Sequence, residues 1–156
     1  MMKTADSIRE NAERAKRYLK EFKEAVKREA ANNEAVNQEA MCASLRNAVC
    51  SRLMIDAGEA ETDDIRKLCI LSIRRQMSEN VGLSDREIVR QIEKYDCHQT
   101  NLVTQKKVLL MLYVERELNI QIGDDEAVEI STTEDLARVS ADKLRRKQKE
   151  ERDEVF

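Results

Sequence analysis

Val103 to Leu136 reads VTQKKVLLMLYVERELNIQIGDDEAVEISTTEDL, and this stretch decides the fold. Thr104 to Leu118 is a predicted helix with Val108, Met111, Leu112, Glu115 and Leu118 in register. Leu109, Leu110, Tyr113 and Val114 wrap further round, which is more apolar surface than one core face needs. Either the N-terminal part of the chain covers that surplus or a partner does. Asn119 to Gly123 leaves the helix as a short extended segment, and Asp124-Asp125-Glu126 comes next. Ile130, then Ser131-Thr132-Thr133 ahead of Glu134-Asp135-Leu136, marks the capped start of another helix. That helix runs through Val139 and Leu144 into LRRKQKEERDEVF, whose mixed charges read as a solvated, frayed end.

Upstream, Thr62 is expected to cap a helix with Asp63 and Asp64 in its first turn. Ile65, Leu68, Cys69, Ser72, Ile73 and Met77 form its buried side, and Val81-Gly82-Leu83 stops it. Ser84-Asp85-Arg86-Glu87 reads as a capping box ahead of Ile88, Val89, Ile92 and Tyr95. Asp96 to Leu102 is polar and expected to be loop.

Further upstream still, Ile8, Ala12, Ala15, Leu19, Phe22 and Val26 recur at steps of three and four, a narrow seam on a helix from Thr4 to Ala31. Asn32-Asn33 suggests a turn. A second helix is expected from Glu34 to Asp56, with Met41, Cys42, Leu45, Val49 and Leu53 inward and Gly58 as a left-handed cap. The hairpin of residues 1–58 is slightly basic and the remainder acidic, which supports a boundary near Gly58-Glu59. The hairpin docks on the rest of the chain or pairs two copies as a homodimer through the Ile8–Val26 seam.

The chain has 41% hydrophobic and 38% charged residues, no proline, three glycines and 3% aromatics, which argues for an all-α fold. A net charge of -3 leaves no global footprint for nucleic acid. No apolar run approaches the roughly 20 residues that span a bilayer, and MMKTADSIRENAERAK has no apolar leader segment. A cytoplasmic, reduced protein that meets neither membrane nor nucleic acid is expected, with Cys42, Cys50, Cys69 and Cys97 as free thiols. Their spacing matches no metal motif, and no cofactor is expected.

Three segments between Thr62 and Leu144 resemble the acyl carrier proteins, the phosphopantetheine-bearing carrier family. Asn80-Val81-Gly82-Leu83-Ser84-Asp85-Arg86-Glu87-Ile88 is similar to the family's first-helix exit. Val108 to Ile122, with its Glu117-Leu118-Asn119-Ile120-Gln121-Ile122 run, is similar to helix II and its exit. Asp124-Asp125-Glu126 and Ile130 to Leu136 are similar to the short third helix and the start of the fourth. The resemblance implies a carrier-like four-helix domain at residues 59–144, preceded by the hairpin and followed by a charged tail at 145–156.

The same resemblance places Thr104 where carriers hold the modified serine of a D-S-L triplet, which here reads Val103-Thr104-Gln105. The usual glycine-aspartate lead-in is Thr100-Asn101-Leu102, and the preceding loop is slightly longer and contains Cys97-His98. Helix II of a carrier is acidic toward its enzymes, whereas Lys106, Lys107, Leu109 and Leu110 stand here, and reversed charge repels basic-faced partners. The β-methyl of Thr104 crowds its hydroxyl, so capping the helix is its expected role rather than carrying a prosthetic arm.

No catalytic group emerges. Cys97-His98 lacks a third orienting residue, and His98 is the chain's single histidine. The carboxylates Asp63-Asp64 and Asp124-Asp125-Glu126 sit where helices begin, which dipole and capping roles explain. Lys143, Arg145, Arg146, Lys147 and Lys149 are interleaved with acids and have no stacking aromatics for nucleic acid.

The expectation is a non-catalytic, degenerate carrier-like interaction protein of a bacterial biosynthetic or peptide-maturation pathway. Its partner face is Lys106, Lys107, Leu109, Leu110 and Tyr113. The alternatives are a working carrier with phosphopantetheine on Thr104 or Cys97, and a structural coiled-coil dimeriser.

Overall fold

A computed structural model describes residues 5–32, 38–81, 84, 86, 87, 90 and 102–154. Among these residues the chain is all-α, and its helices are α1 (Ala5–Asn32), α2 (Gln38–Arg52), α3 (Ile65–Val81), α4 (Leu102–Leu118), α5 (Asp124–Glu129) and α6 (Thr133–Glu154).

The α1 seam lies where its spacing places it. Ala15, Leu19, Phe22 and Val26 are buried, and α1 packs on α2, α4 and α6. Of the two outcomes the spacing allowed, docking on the rest of the chain is the one observed, and Ile8 at the start of the seam is half exposed. Burying side chains of this size stabilises by roughly 1.5–3 kcal/mol each. A single buried cluster joins these residues to Leu45 and Val49 of α2, Leu68 of α3, Leu110 of α4 and Leu136 of α6.

α2 is shorter than its apolar pattern predicts. It stops at Arg52 because Met54 takes the left-handed conformation, with φ 61°. The Met54 N–H donates to the Ser51 carbonyl at 3.1 Å and the Ile55 N–H to the Cys50 carbonyl at 2.9 Å. This is a Schellman closure, built on methionine and not on the expected Gly58. α4 ends the same way. Asn119 has φ 53°, and the Asn119 and Ile120 N–H groups donate to the carbonyls of Arg116 and Glu115.

The connection from α2 to α3 has no secondary structure of its own until residue 64, yet it is fixed by one side chain. Arg46 donates from Nε to Asp63 Oδ1 at 2.7 Å, from Nη1 to the Ala57 carbonyl at 2.9 Å and from Nη2 to the Thr62 carbonyl at 3.2 Å. Nη2 also donates to the Ala60 carbonyl. Ser72 Oγ adds a buried bond to the Leu53 carbonyl at 2.6 Å.

The cap of α3 is Asp64, whose Oδ1 accepts the Lys67 N–H at 3.0 Å. Thr62 serves one step earlier, accepting the Asp64 N–H at 3.1 Å. Of the predicted inward residues of α3, Ile65, Leu68, Cys69, Ser72 and Ile73 are all buried, while the Met77 side chain lies outside the described residues. The Ser84 box forms: the Glu87 N–H donates to Ser84 Oγ at 3.3 Å, and the Ser84 N–H to Glu87 Oε2 at 3.4 Å. Asn33, Gly82, Ile88, Val89, Ile92, Tyr95 and the loop from Asp96 to Asn101, with Cys97 and His98, lie outside the described residues.

The starts of α3 and α6 cross as an isolated antiparallel bridge between Asp64 and Thr132. The Ile65 N–H donates to the Ser131 carbonyl and the Thr133 N–H to the Asp63 carbonyl, both at 2.9 Å. Thr132 caps α6 by accepting the Asp135 N–H at 3.0 Å, and Asp135 Oδ2 accepts the Ser131 and Thr132 N–H groups in return. Those N–H groups, Ser131 first, hold the Asp135 carboxyl below its ordinary range.

The expected charged tail is part of α6, which continues without a break to Glu154. Arg145 grips Glu29 of α1 through two donors at 2.9 and 2.7 Å, and Lys147 Nζ donates to the Asn119 carbonyl at 2.9 Å. These tethers fasten the start of that charged stretch to α1 and to the end of α4.

Arg46→Met should lower stability by about 2–4 kcal/mol in urea titrations, because three carbonyls lose a charged donor at once. Asp63→Asn should cost under about 1 kcal/mol, since that carboxylate is largely solvated. A second test uses pH. Burial pushes the Cys69 thiol from its usual 9.0 up to about 11. The unfolded thiol therefore ionises first as pH rises, so this stabilisation is whole below pH 9 and lost by about pH 11, up to roughly 3 kcal/mol. Tyr113 and Cys50, also shifted up by burial, act the same way, and Lys106, shifted down by burial, acts oppositely. Melting curves from pH 8 to 11 should show a smaller fall in Cys69→Ala than in the wild type.

Candidate partner-binding face

α4 carries seven apolar residues in succession, Val108 to Val114, so sequence alone does not fix which side of it faces inward. Its surroundings do. Val103, Leu110, Met111, Tyr113, Val114 and Leu118 are buried. Val108, Leu109 and Leu112 are exposed at 51%, 64% and 52%. With Thr104, Gln105 and Arg116, these form the solvent side of the helix. Their steps of three and four make that side one continuous stripe.

Of the five residues expected to meet a partner, only Leu109 stands on this stripe. Leu110 is 2% exposed and Tyr113 7%. Lys106 and Lys107 are half-buried at its flanks. Val108 and Leu112, expected in the core, take the outside positions instead. The expectation failed because the core closes on the Val103–Leu110–Val114 line, which is rotated from the one the spacing favoured.

Thr104 is exposed and is the third residue of α4, which begins at Leu102. It therefore sits inside the first turn and is not the N-cap that its residue type suggested. Val103, just before it, is buried.

Beside the stripe, the guanidinium of Arg52, at the end of α2, lies 4.7 Å from the centroid of the Tyr113 ring. That of Arg116 lies at 5.7 Å. Such stacking is favourable because the ring face is negative. The Tyr113 hydroxyl is buried without a hydrogen-bond partner among the described residues. Lys106 Nζ donates to Gln76 Oε1 at 3.2 Å. Burial lowers the proton affinity of Lys106, the neighbouring Cys69 raises it and Arg52 lowers it further.

No family model, curated protein or solved structure matches the chain.

Other features carry less chemistry. A cavity of about 600 Å³ lies between the start of α2 and α6, with buried Met41, Ala137 and Ala141 in its lining beside Cys42, Glu134 and Arg138. Burial, then the charges of Glu134 and Asp63, raise the Cys42 thiol, which makes it a poor nucleophile at neutral pH. Asp124 and Glu126 open α5, where Glu126 accepts the Gly123 N–H and pairs with Lys143 at 2.7 Å. The Lys143 bond, first, and the Gly123 N–H keep that carboxyl low. Among the described residues no group of His, Cys, Asp and Glu is placed to hold a metal ion. Among them, too, no helix is long and apolar enough to cross a membrane.

The two sides of α4 predict opposite responses to charge. Leu109→Glu and Leu112→Glu should each change stability by less than about 0.5–1 kcal/mol. Leu110→Ala should cost about 2–5 kcal/mol. Thermal melts of the three variants read this directly.

Proposed function

We propose that the chain is a non-catalytic, degenerate carrier-like protein that works as an interaction module. The observation that carries this reading is the α4 stripe, where Val108, Leu109 and Leu112 are held in water on a rigid helix beside buried Val103 and Leu110. Exposed aliphatic side chains grouped in this way are characteristic of a protein-binding site. The order of a long α4, a six-residue α5 and a long α6 supports the carrier resemblance. So does the extended segment before α5, where Ile122 is buried and its N–H donates to Glu115 Oε1 at 3.2 Å. By that likeness alone the module belongs to a bacterial biosynthetic or peptide-maturation pathway.

A second reading, a working carrier with phosphopantetheine on Thr104, draws support from the exposure of Thr104 at the head of the stripe. Its β-branch and the loss of an acidic neighbour at Val103 weigh against it. Intact mass after incubation with coenzyme A and a promiscuous phosphopantetheinyl transferase separates the two. The unmodified mass is expected. A mass gain of one arm that disappears in Thr104→Ala would establish the second reading instead, and a gain that survives in that variant would place the arm elsewhere.

A further inference from the structure

We infer that the partner of the α4 stripe is an amphipathic helix whose apolar side is edged with carboxylates. This rests on the interaction-module reading and adds the chemistry of the partner. The stripe is asymmetric. Along one edge run Lys106, Leu109, Tyr113 and Arg116, spaced at three, four and three residues and so in line on the helix. Arg52 stacks on Tyr113 from α2 and extends the same edge. Three cations are thus gathered beside exposed Leu109.

The acids nearby offset them only in part, through the ion pair of Glu117 with Arg116. Glu117 is 3.6 Å from Arg116, a long contact, and its side chain is 20% exposed against 72% for the arginine. Glu115 lies toward the opposite edge, with its carboxylate accepting the Ile122 N–H. Arg52 and Arg116 are both positioned by the face of one ring, an arrangement that preserves their charge while holding their donors at the surface.

A helix laid on Val108, Leu109 and Leu112 would bury those side chains. Carboxylates along one of its edges would meet Arg52 and Arg116, which fixes its orientation as well as its sign. Nucleic acid fits less well, because the stripe offers aliphatic side chains and its aromatic ring is buried.

The test uses two fluorescent peptides with the same leucine stripe, one with glutamates and one with lysines at all other positions. Anisotropy titrations are run against the full chain at low and high salt. The glutamate peptide should bind at least about tenfold more tightly, with the difference shrinking in high salt. Arg52→Glu combined with Arg116→Glu should reverse the preference, and the paired glutamines should abolish it. Leu109→Glu with Leu112→Glu should remove binding of both peptides. Circular dichroism and melting points check that the variants stay folded.

Equal affinity for the two peptides, lost in the leucine variants, would overturn the acidic partner but keep the docking face. No binding by either peptide would sink both. Sedimentation showing a dimer that Leu112→Glu dissolves would assign the stripe to a second copy of the chain and overturn the inference.

Discussion

Arg46 is the constraint on which the other contacts depend. Its guanidinium gathers the carbonyls of Ala57, Ala60 and Thr62 and the carboxylate of Asp63 around one half-buried charge. A connection without a helix or strand of its own would otherwise leave those carbonyls to water and the backbone unfixed. Holding Thr62 and Asp63 in turn places Asp64, which caps α3 and pairs with Thr132. Thr132 is the cap of α6. One side chain on α2 therefore sets the starting points of two other helices, and with them the core in between.

Much of this was legible in the sequence where polar and apolar residues separate cleanly. The inner side of α3 was readable because charges occupy its opposite side, at Arg66, Lys67 and Arg74. The α1 seam was readable for the same reason. α4 was not, since Val108 to Leu112 point round the whole helix and only neighbouring elements choose among them. Arg46 was missed because an arginine on an amphipathic helix ordinarily marks the wet side. The available clue was the length of the connection after α2, whose carbonyls needed a donor. The caps slipped by a few residues, with Asp64 displacing Thr62 and Met54 displacing Gly58. Several side chains there were chemically able to do the same work, and tertiary contacts chose between them.

The candidate face combines two properties that seldom occur together. Its aliphatic residues are exposed at about half or more, yet its arginines are held in place by stacking on a ring that belongs to the core. Cations stacked on a buried ring lose less conformational freedom when a partner arrives than free ones do. Discrimination then comes from charge and adhesion from the leucines. Thr104 stands exposed at the head of the same strip.

The grip of Arg145 on Glu29 spans 116 residues of chain. During synthesis α1 leaves the ribosome long before α6 exists. The α1 seam is therefore shielded first by α2, then by α4, and is completed only when the last helix emerges. Contacts this distant in sequence slow folding and prolong the interval in which apolar surface is open to other nascent chains. The many charges between the seam residues of α1, from Arg14 to Arg28, act as solubilising guards during that delay.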